Sequence, residues 1–157
     1  MEEKAGPISA AKFGLIIVLF LMPFINVSCS GIINIPISGM DLATGKTIEL
    51  KEPFSGKIQK QKINAEPLAV IALGCAILGF FAGFVKSKPA RLINAVAGGG
   101  GAVLLLLLKS KIDREVLKEG GGMFTVHYEF AFWAALILFL ACAAVGIYFL
   151  SLNSEKD

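Results

Sequence analysis

Charge is what this chain has least of. Only 17% of its 157 residues are Asp, Glu, Lys or Arg, against about a quarter in ordinary soluble domains. Histidine occurs once, as His127, and tryptophan once, as Trp133; cysteine occurs three times, as Cys29, Cys75 and Cys142. A lone histidine outside the apolar runs removes the usual axial ligand for a haem or chlorophyll inside a membrane. Three cysteines with no C-x-x-C pair leave no dithiol to relay electrons to a quinone. His127 and Glu129 share one face of a strand pattern, but two ligands do not make a metal site. No cofactor and no metal is therefore expected. The net charge of +3 is small, and the basic residues form no stripe interleaved with exposed aromatics, so nucleic acid is not an expected partner.

What the chain has instead is apolar length. It is 55% hydrophobic, with a mean hydropathy of +0.73. The apolar residues fall into four runs: Phe13 to Val27, Pro67 to Val85, Leu92 to Leu108 and Phe130 to Leu150. A membrane-spanning helix needs about 20 residues, and the runs predict spanning helices over about 9–28, 67–86, 91–109 and 130–150. Lys12, Arg91 and Lys109 would snorkel their charges to the interfaces. No run contains Asp, Glu, Lys, Arg or His, which disfavours an ion-coupled transporter. Asn26 and Asn94 are read as interfacial or interhelical hydrogen-bonding groups. The first run has a rival reading as a lipoprotein signal, but Asn26 stands where such signals carry Leu three residues before the cysteine. It is read as a retained helix.

The second and third runs are joined by KSKPAR (Lys86 to Arg91), with three basic residues and no acidic one. Basic residues in short loops stay in the cytoplasm, which places both termini there too. Tyr128, Trp133 and Tyr148 suit the interfacial positions of the last helix. Segments 29–66 and 110–129 then lie outside. Within them Ile32 to Ser38, Thr47 to Lys51 and Met123 to Glu129 alternate apolar with polar, as half-buried strands do, and Pro36 suits an edge strand. The stretch KEPFSGKIQKQKINAEP shows no such alternation and is expected to be a polar excursion. The expected fold is a membrane all-α domain spanning residues 1–157, four transmembrane helices under a small extracytoplasmic antiparallel β cap.

GMDLATGKT (Gly39 to Thr47) ends as a nucleotide-binding P-loop ends, with Gly45, Lys46 and Thr47. Its first glycine is one residue too early, and Lys46 runs into a strand pattern where a P-loop needs a helix N-terminus. LATGK is expected to be a turn between strands, and no nucleotide is expected.

The same region carries a resemblance. MPFINVSCSG (Met22 to Gly31), followed by SGMDLATG (Ser38 to Gly45), resembles the first outer loop of small uncharacterised bacterial four-helix membrane proteins, in which P-F-x-x-x-S-C-x-G is followed by S-G-x-x-L-A-T-G. It covers about the first third of the chain and implies an architecture without an activity. The layout is similar to claudin-like proteins by architectural analogy alone, because their W…GLW…C…C signature is absent.

Small residues carry the strongest positive signal. Gly79 and Gly83 are spaced i, i+4, and Gly98, Gly99, Gly100 and Gly101 follow in a row. Such spacing lets helices approach closely in lipid, either within this bundle or against a partner helix, lipid or pigment. Cys29, at the outer boundary, is a candidate thiol or modification site. The expected function is a non-catalytic accessory or scaffold subunit of a larger complex in the bacterial inner (plasma) membrane, with the lipid bilayer and other membrane subunits as partners. The alternative is a lipid or small-molecule binding or transport module with its groove near Gly98–Gly101. An enzyme using Cys29 or His127 is a third reading, and no catalytic residue is assigned.

Overall fold

The computed structural model describes residues 5–29, 33–51, 58–85, 87–119 and 124–154. They are mostly helical, with three helices long and apolar enough to cross a membrane and a small antiparallel sheet at one end.

The first helix, α1 (Ala5–Leu21), stops earlier than its apolar run. Pro23 has no N–H to donate to the Leu19 carbonyl, and its ring would collide with that turn. Met22 N–H bonds to Leu19 O instead, at 3.0 Å, closing a tighter last turn. The expected continuation to residue 28 is corrected: residues Pro23–Cys29 form strand β1. It pairs antiparallel with β2 (Ile33–Ser38) on one side and β5 (Phe124–Tyr128) on the other, in the order β2-β1-β5. Pro36 does lie on an edge strand.

Between β2 and β3 (Lys46–Lys51) the expected simple turn is a short helix, α2 (Gly39–Thr44). The Ser38 Oγ accepts the Asp41 N–H at 3.0 Å while the Asp41 carboxylate accepts the Ser38 N–H at 3.2 Å, a reciprocal capping box. Gly45 ends it with φ +78°, and a Cβ there would lie 2.9 Å from the Ile63 carbonyl oxygen, so glycine is required. The polar excursion is likewise corrected. Residues 52–57 lie outside the described residues, but Ile58–Ile63 form β4, which pairs along its length with β3 as a separate two-stranded ribbon.

Helix α3 (Pro67–Phe84) opens with Pro at its first position, where a missing N–H costs nothing. Helix α4 (Lys88–Glu119) is longer than expected. It continues past Lys109 because its charges fall at i, i+4, with Lys109 to Asp113 at 2.7 Å and Lys111 to Glu115 at 3.7 Å. Helix α5 (Phe130–Ser154) follows β5 directly.

α1 and α4 each pack between α3 and α5, so the four long helices form an up-and-down ring. Ala10 of α1 meets Gly83 at the end of α3, and Ala95 of α4 meets Gly146 near the end of α5. Both ends of the helical chain therefore lie with the α3–α4 turn, opposite the sheet. The core is aromatic: Phe13, Phe20, Phe24, Phe132 and Phe139 are fully buried together with Ile16, Leu105 and Leu108. Phe24 bridges bundle to sheet, with ring centroids 4.8 Å from Phe20 and 5.8 Å from Phe132. The outward faces are apolar as well, with Val18, Leu78, Phe81, Val96 and Ile137 all exposed. Helices apolar on every side suit a lipid surround.

Candidate functional site

The three-stranded sheet has two unlike faces. Its register places Ile25, Val27, Ile35, Ile37, Val126 and Tyr128 on one side, where they pack on the helical core. The other side carries Asn26 opposite His127, and Ser28 opposite both Asn34 and Thr125. The Ser28 hydroxyl donates to the Asn34 side-chain oxygen. Asn26 Nδ2 donates to Glu129 Oε1 at 3.3 Å, and Glu129 N–H is itself fixed by the Phe24 carbonyl at 2.9 Å. The Asn26 Oδ1 is buried with no hydrogen-bond partner. The result is a row of amides and hydroxyls, nearly uncharged, on a sheet whose other face is packed on the helical core.

His127 is exposed on this row, while the Glu129 carboxylate is turned to Asn26. Among the described residues no three His, Cys, Asp or Glu side chains gather where they could hold a metal ion. Cys29 ends β1 opposite Ile33 and Phe124; its side chain lies outside the described ones. Cys75 and Cys142 are free thiols, half-buried and buried respectively.

A second polar group joins sheet to bundle. Tyr128 OH donates to Asp113 Oδ1 at 2.6 Å, with the Lys109 carbonyl oxygen at 3.2 Å as a second acceptor. The Lys109 ammonium bridges to Asp113 Oδ2 and sits 4.8 Å from the centre of the Tyr128 ring. Burial, then the hydrogen bond and charge of Asp113, push the Tyr128 phenol well above its ordinary range. Beside it, Lys111 bonds Glu66 at 2.7 Å, tying α4 to the entry of α3. In the sequence only the i, i+4 spacing of Lys109 and Asp113 signals this girdle; its other partners come from distant segments.

Lys46 does not reach into an open phosphate cradle. It bonds Asp41 at 3.0 Å, and the order here is helix, glycine, strand, where a P-loop has strand, loop, helix. Burial raises the Asp41 carboxyl, but the Lys46 ammonium and the Ser38 bonds outweigh it and hold the group below its ordinary value.

The glycines separate into two kinds. A Cβ at Gly79 would lie 2.5 Å from the Phe13 ring, at Gly83 2.7 Å from the Ala10 backbone, at Gly98 2.6 Å from Ala143 N, and at Gly101 it would overlap the Phe139 ring. These four are filled by helices of this same chain. Gly99 would meet only Ala143 Cβ at 4.0 Å, and beside Gly100 there is open space. Comparison with family models, with characterised proteins and with solved structures gives no match for this chain.

Proposed function

We propose that this chain is a non-catalytic accessory or scaffold subunit of a larger protein complex in the bacterial inner membrane, spanning it four times with both termini in the cytoplasm and the sheet outside. The observation that carries the reading is the outward row of Asn26, Ser28, Asn34 and Thr125. Hydrogen-bonding side chains of low charge on one face of a sheet suit the polar, hydrogen-bonded rim of a protein contact better than chemistry. The α3–α4 turn with its lysines and arginine supports the cytoplasmic assignment. Helix α1, with 17 residues, is about 26 Å long. Its apolar stretch, Ala10–Leu21, is about 18 Å long, so this crossing relies on Lys12 snorkelling and on local thinning of the bilayer.

The test is the mass of the particle extracted in mild detergent, with identification of what copurifies, for the wild type and for Asn34→Lys and Thr125→Lys. A stoichiometric partner set that is lost in the two variants supports the proposal. A lone 16.6 kDa chain, or a homo-oligomer, overturns it. The second reading, a lipid or small-molecule module, draws on the open space beside Gly99 and Gly100.

A further inference from the structure

Helix α4 is fastened at both ends and weak in the middle. At its start Ser87 Oγ accepts the Ala90 N–H at 3.3 Å, and the Ser87 carbonyl accepts the Arg91 N–H at 3.3 Å. Toward its far end Lys111 bonds Glu66, and Asp113 holds both Lys109 and Tyr128. Between them stand Gly98 to Gly101, and glycine weakens a helix relative to alanine. Contacts explain the first and last of the four, because Gly98 admits the Ala143 backbone and Gly101 the Phe139 ring. They do not explain the inner two. A Cβ at Gly99 would make only an ordinary contact with Ala143, and at Gly100 it would meet nothing.

Nor do Gly99 and Gly100 form a docking face. Val96 and Val103 stand three or four residues from both and are exposed. These β-branched side chains flank the gap one turn to either side. A second helix approaches closely where small residues repeat from turn to turn, and on this face they do not repeat. What remains is their effect on the backbone, a segment that bends more easily than the rest of α4.

A second observation lies one turn nearer the start of the helix. Asn94 is 9% exposed, the one polar residue buried in the core among the described residues, and its Oδ1 has no hydrogen-bond partner. A carbonyl unmet in an apolar interior raises the energy of the closed arrangement. Around Asn94 the seam between α4 and α5 is shut by small residues, Ala95 against Gly146 and Gly98 against Ala143. Small side chains lose few contacts on parting. Beyond the glycines the core is filled by Leu105, Leu108 and Phe132, all fully buried, and separation there forfeits far more.

We infer that α4 is a hinged helix. Residues 88–97 stay with α3 through the short turn, swing about Gly99 and Gly100 away from α5, and open the seam at that end so that water reaches Asn94. In the open state the amide gains the hydrogen bond that it lacks in the closed one. The inner glycines lower the cost of the bend, and the girdle at Lys109, Asp113 and Tyr128 stays in place. The closed and open arrangements are two states of one chain, and anything that binds the open one better shifts the balance toward it. This inference does not depend on the accessory-subunit reading.

The experiment is amide hydrogen exchange, read by mass spectrometry on the full chain in phosphatidylcholine nanodiscs. Residues 95–104 of α4 are compared with 136–145 of α5, which lie at the same level because Gly98 meets Ala143 and Gly101 meets Phe139. The α4 segment should exchange about tenfold faster than the α5 segment. Replacing Gly99 and Gly100 together by alanine should slow it about tenfold and leave the α5 segment unchanged. Asn94→Leu should slow it too, since leucine gains nothing from water; where leucine does not fit the close crossing, Asn94→Ala makes the same comparison. Cys142, buried next to Ala143, gives a second readout. In a chain with Cys29 and Cys75 replaced by serine, its alkylation by N-ethylmaleimide should slow in the same variants. Equal exchange over the two segments in the wild type would overturn the inference, as would unchanged exchange in the double-alanine variant. Fast exchange shared equally by α3, α4 and α5 would mean opening of the whole bundle and would overturn it as well. Slowing by the alanines but by neither Asn94 variant would remove Asn94 from the device.

Discussion

The Phe13 ring occupies the space that a side chain at Gly79 would take, with its Cε1 and Cζ 2.5 Å from where a Cβ would be. Phe13 is fully buried and stacks edge-on to Phe139 at 6.4 Å, so it has nowhere to retreat. Gly83 and Gly98 face backbone rather than a ring, and there a whole helix must shift. We expect Gly83→Ala and Gly98→Ala to lose about 1–3 kcal/mol each through overpacking, and Gly100→Ala to be neutral or slightly stabilising. Unfolding midpoints in detergent check the ranking. A Gly98→Ala variant as stable as Gly100→Ala would mean that α4 and α5 are not this close.

Tyr128 fastens the sheet to α4. Removing its hydroxyl with Tyr128→Phe leaves Asp113 with Lys109 alone. Because Asp113 is 41% exposed, water compensates in part and the expected loss is about 1 kcal/mol. The pH dependence has a definite sign. The phenol is raised in the folded protein, so its contribution is complete below the unfolded value near 10. As the pH rises through 10, the unfolded chain releases a proton that the folded chain keeps, and stability falls. Denaturation followed between pH 9 and pH 11 should show this extra downward slope in the wild type and lack it in Tyr128→Phe.

Asp41 should give the opposite dependence. Its carboxyl is depressed in the folded state by Lys46 and Ser38 against the effect of burial. The stabilisation is therefore present above the ordinary value of 3.8 and is lost as the pH falls through the lower folded value. Asp41→Asn should flatten that acid limb, and Ser38→Ala, which removes the other half of the capping box, should cost about 1 kcal/mol. Acid titration of the unfolding midpoint decides the point: an Asp41→Asn curve parallel to the wild type would show that the ion pair with Lys46 contributes nothing.

Much of this architecture is legible in the residues, and what is not has specific physical causes. Period-two alternation marks β2, β3 and β5 because each has one buried and one open face. β1 does not alternate visibly, since PFINVSC continues an apolar run and periodicity cannot separate a buried strand from a helix there. Pro23 was the available clue. β4, IQKQKI, carries almost no apolar signal and is defined by pairing with β3, a long-range fact that local pattern does not encode. The Ser38-x-x-Asp41 spacing signals a capped helix, and the same stretch ends in Gly45-Lys46-Thr47, as a P-loop does. The small-residue spacing foretells close helix approach; it does not say which glycines meet this chain and which face outward, because that depends on where each helix is rotated in the ring. The unmet carbonyl of Asn94 is invisible in sequence for the same reason.

The orientation proposed for the chain can be checked residue by residue. Lys62 on β4 and Ser151 on α5 are both exposed and belong to opposite ends of the bundle, the first five residues before Pro67 opens α3. In a chain with Cys29, Cys75 and Cys142 replaced by serine or alanine, Lys62→Cys should react with a membrane-impermeant maleimide in cells whose outer membrane alone is opened. Ser151→Cys should react only after lysis. The physical basis is that carrying the basic α3–α4 turn across the membrane is disfavoured, so all that lies at that end stays inside with it. Labelling of Ser151→Cys and not Lys62→Cys in intact cells would invert the topology and put the polar sheet face in the cytoplasm. Labelling of both before lysis would be incompatible with a bundle that crosses the bilayer from end to end.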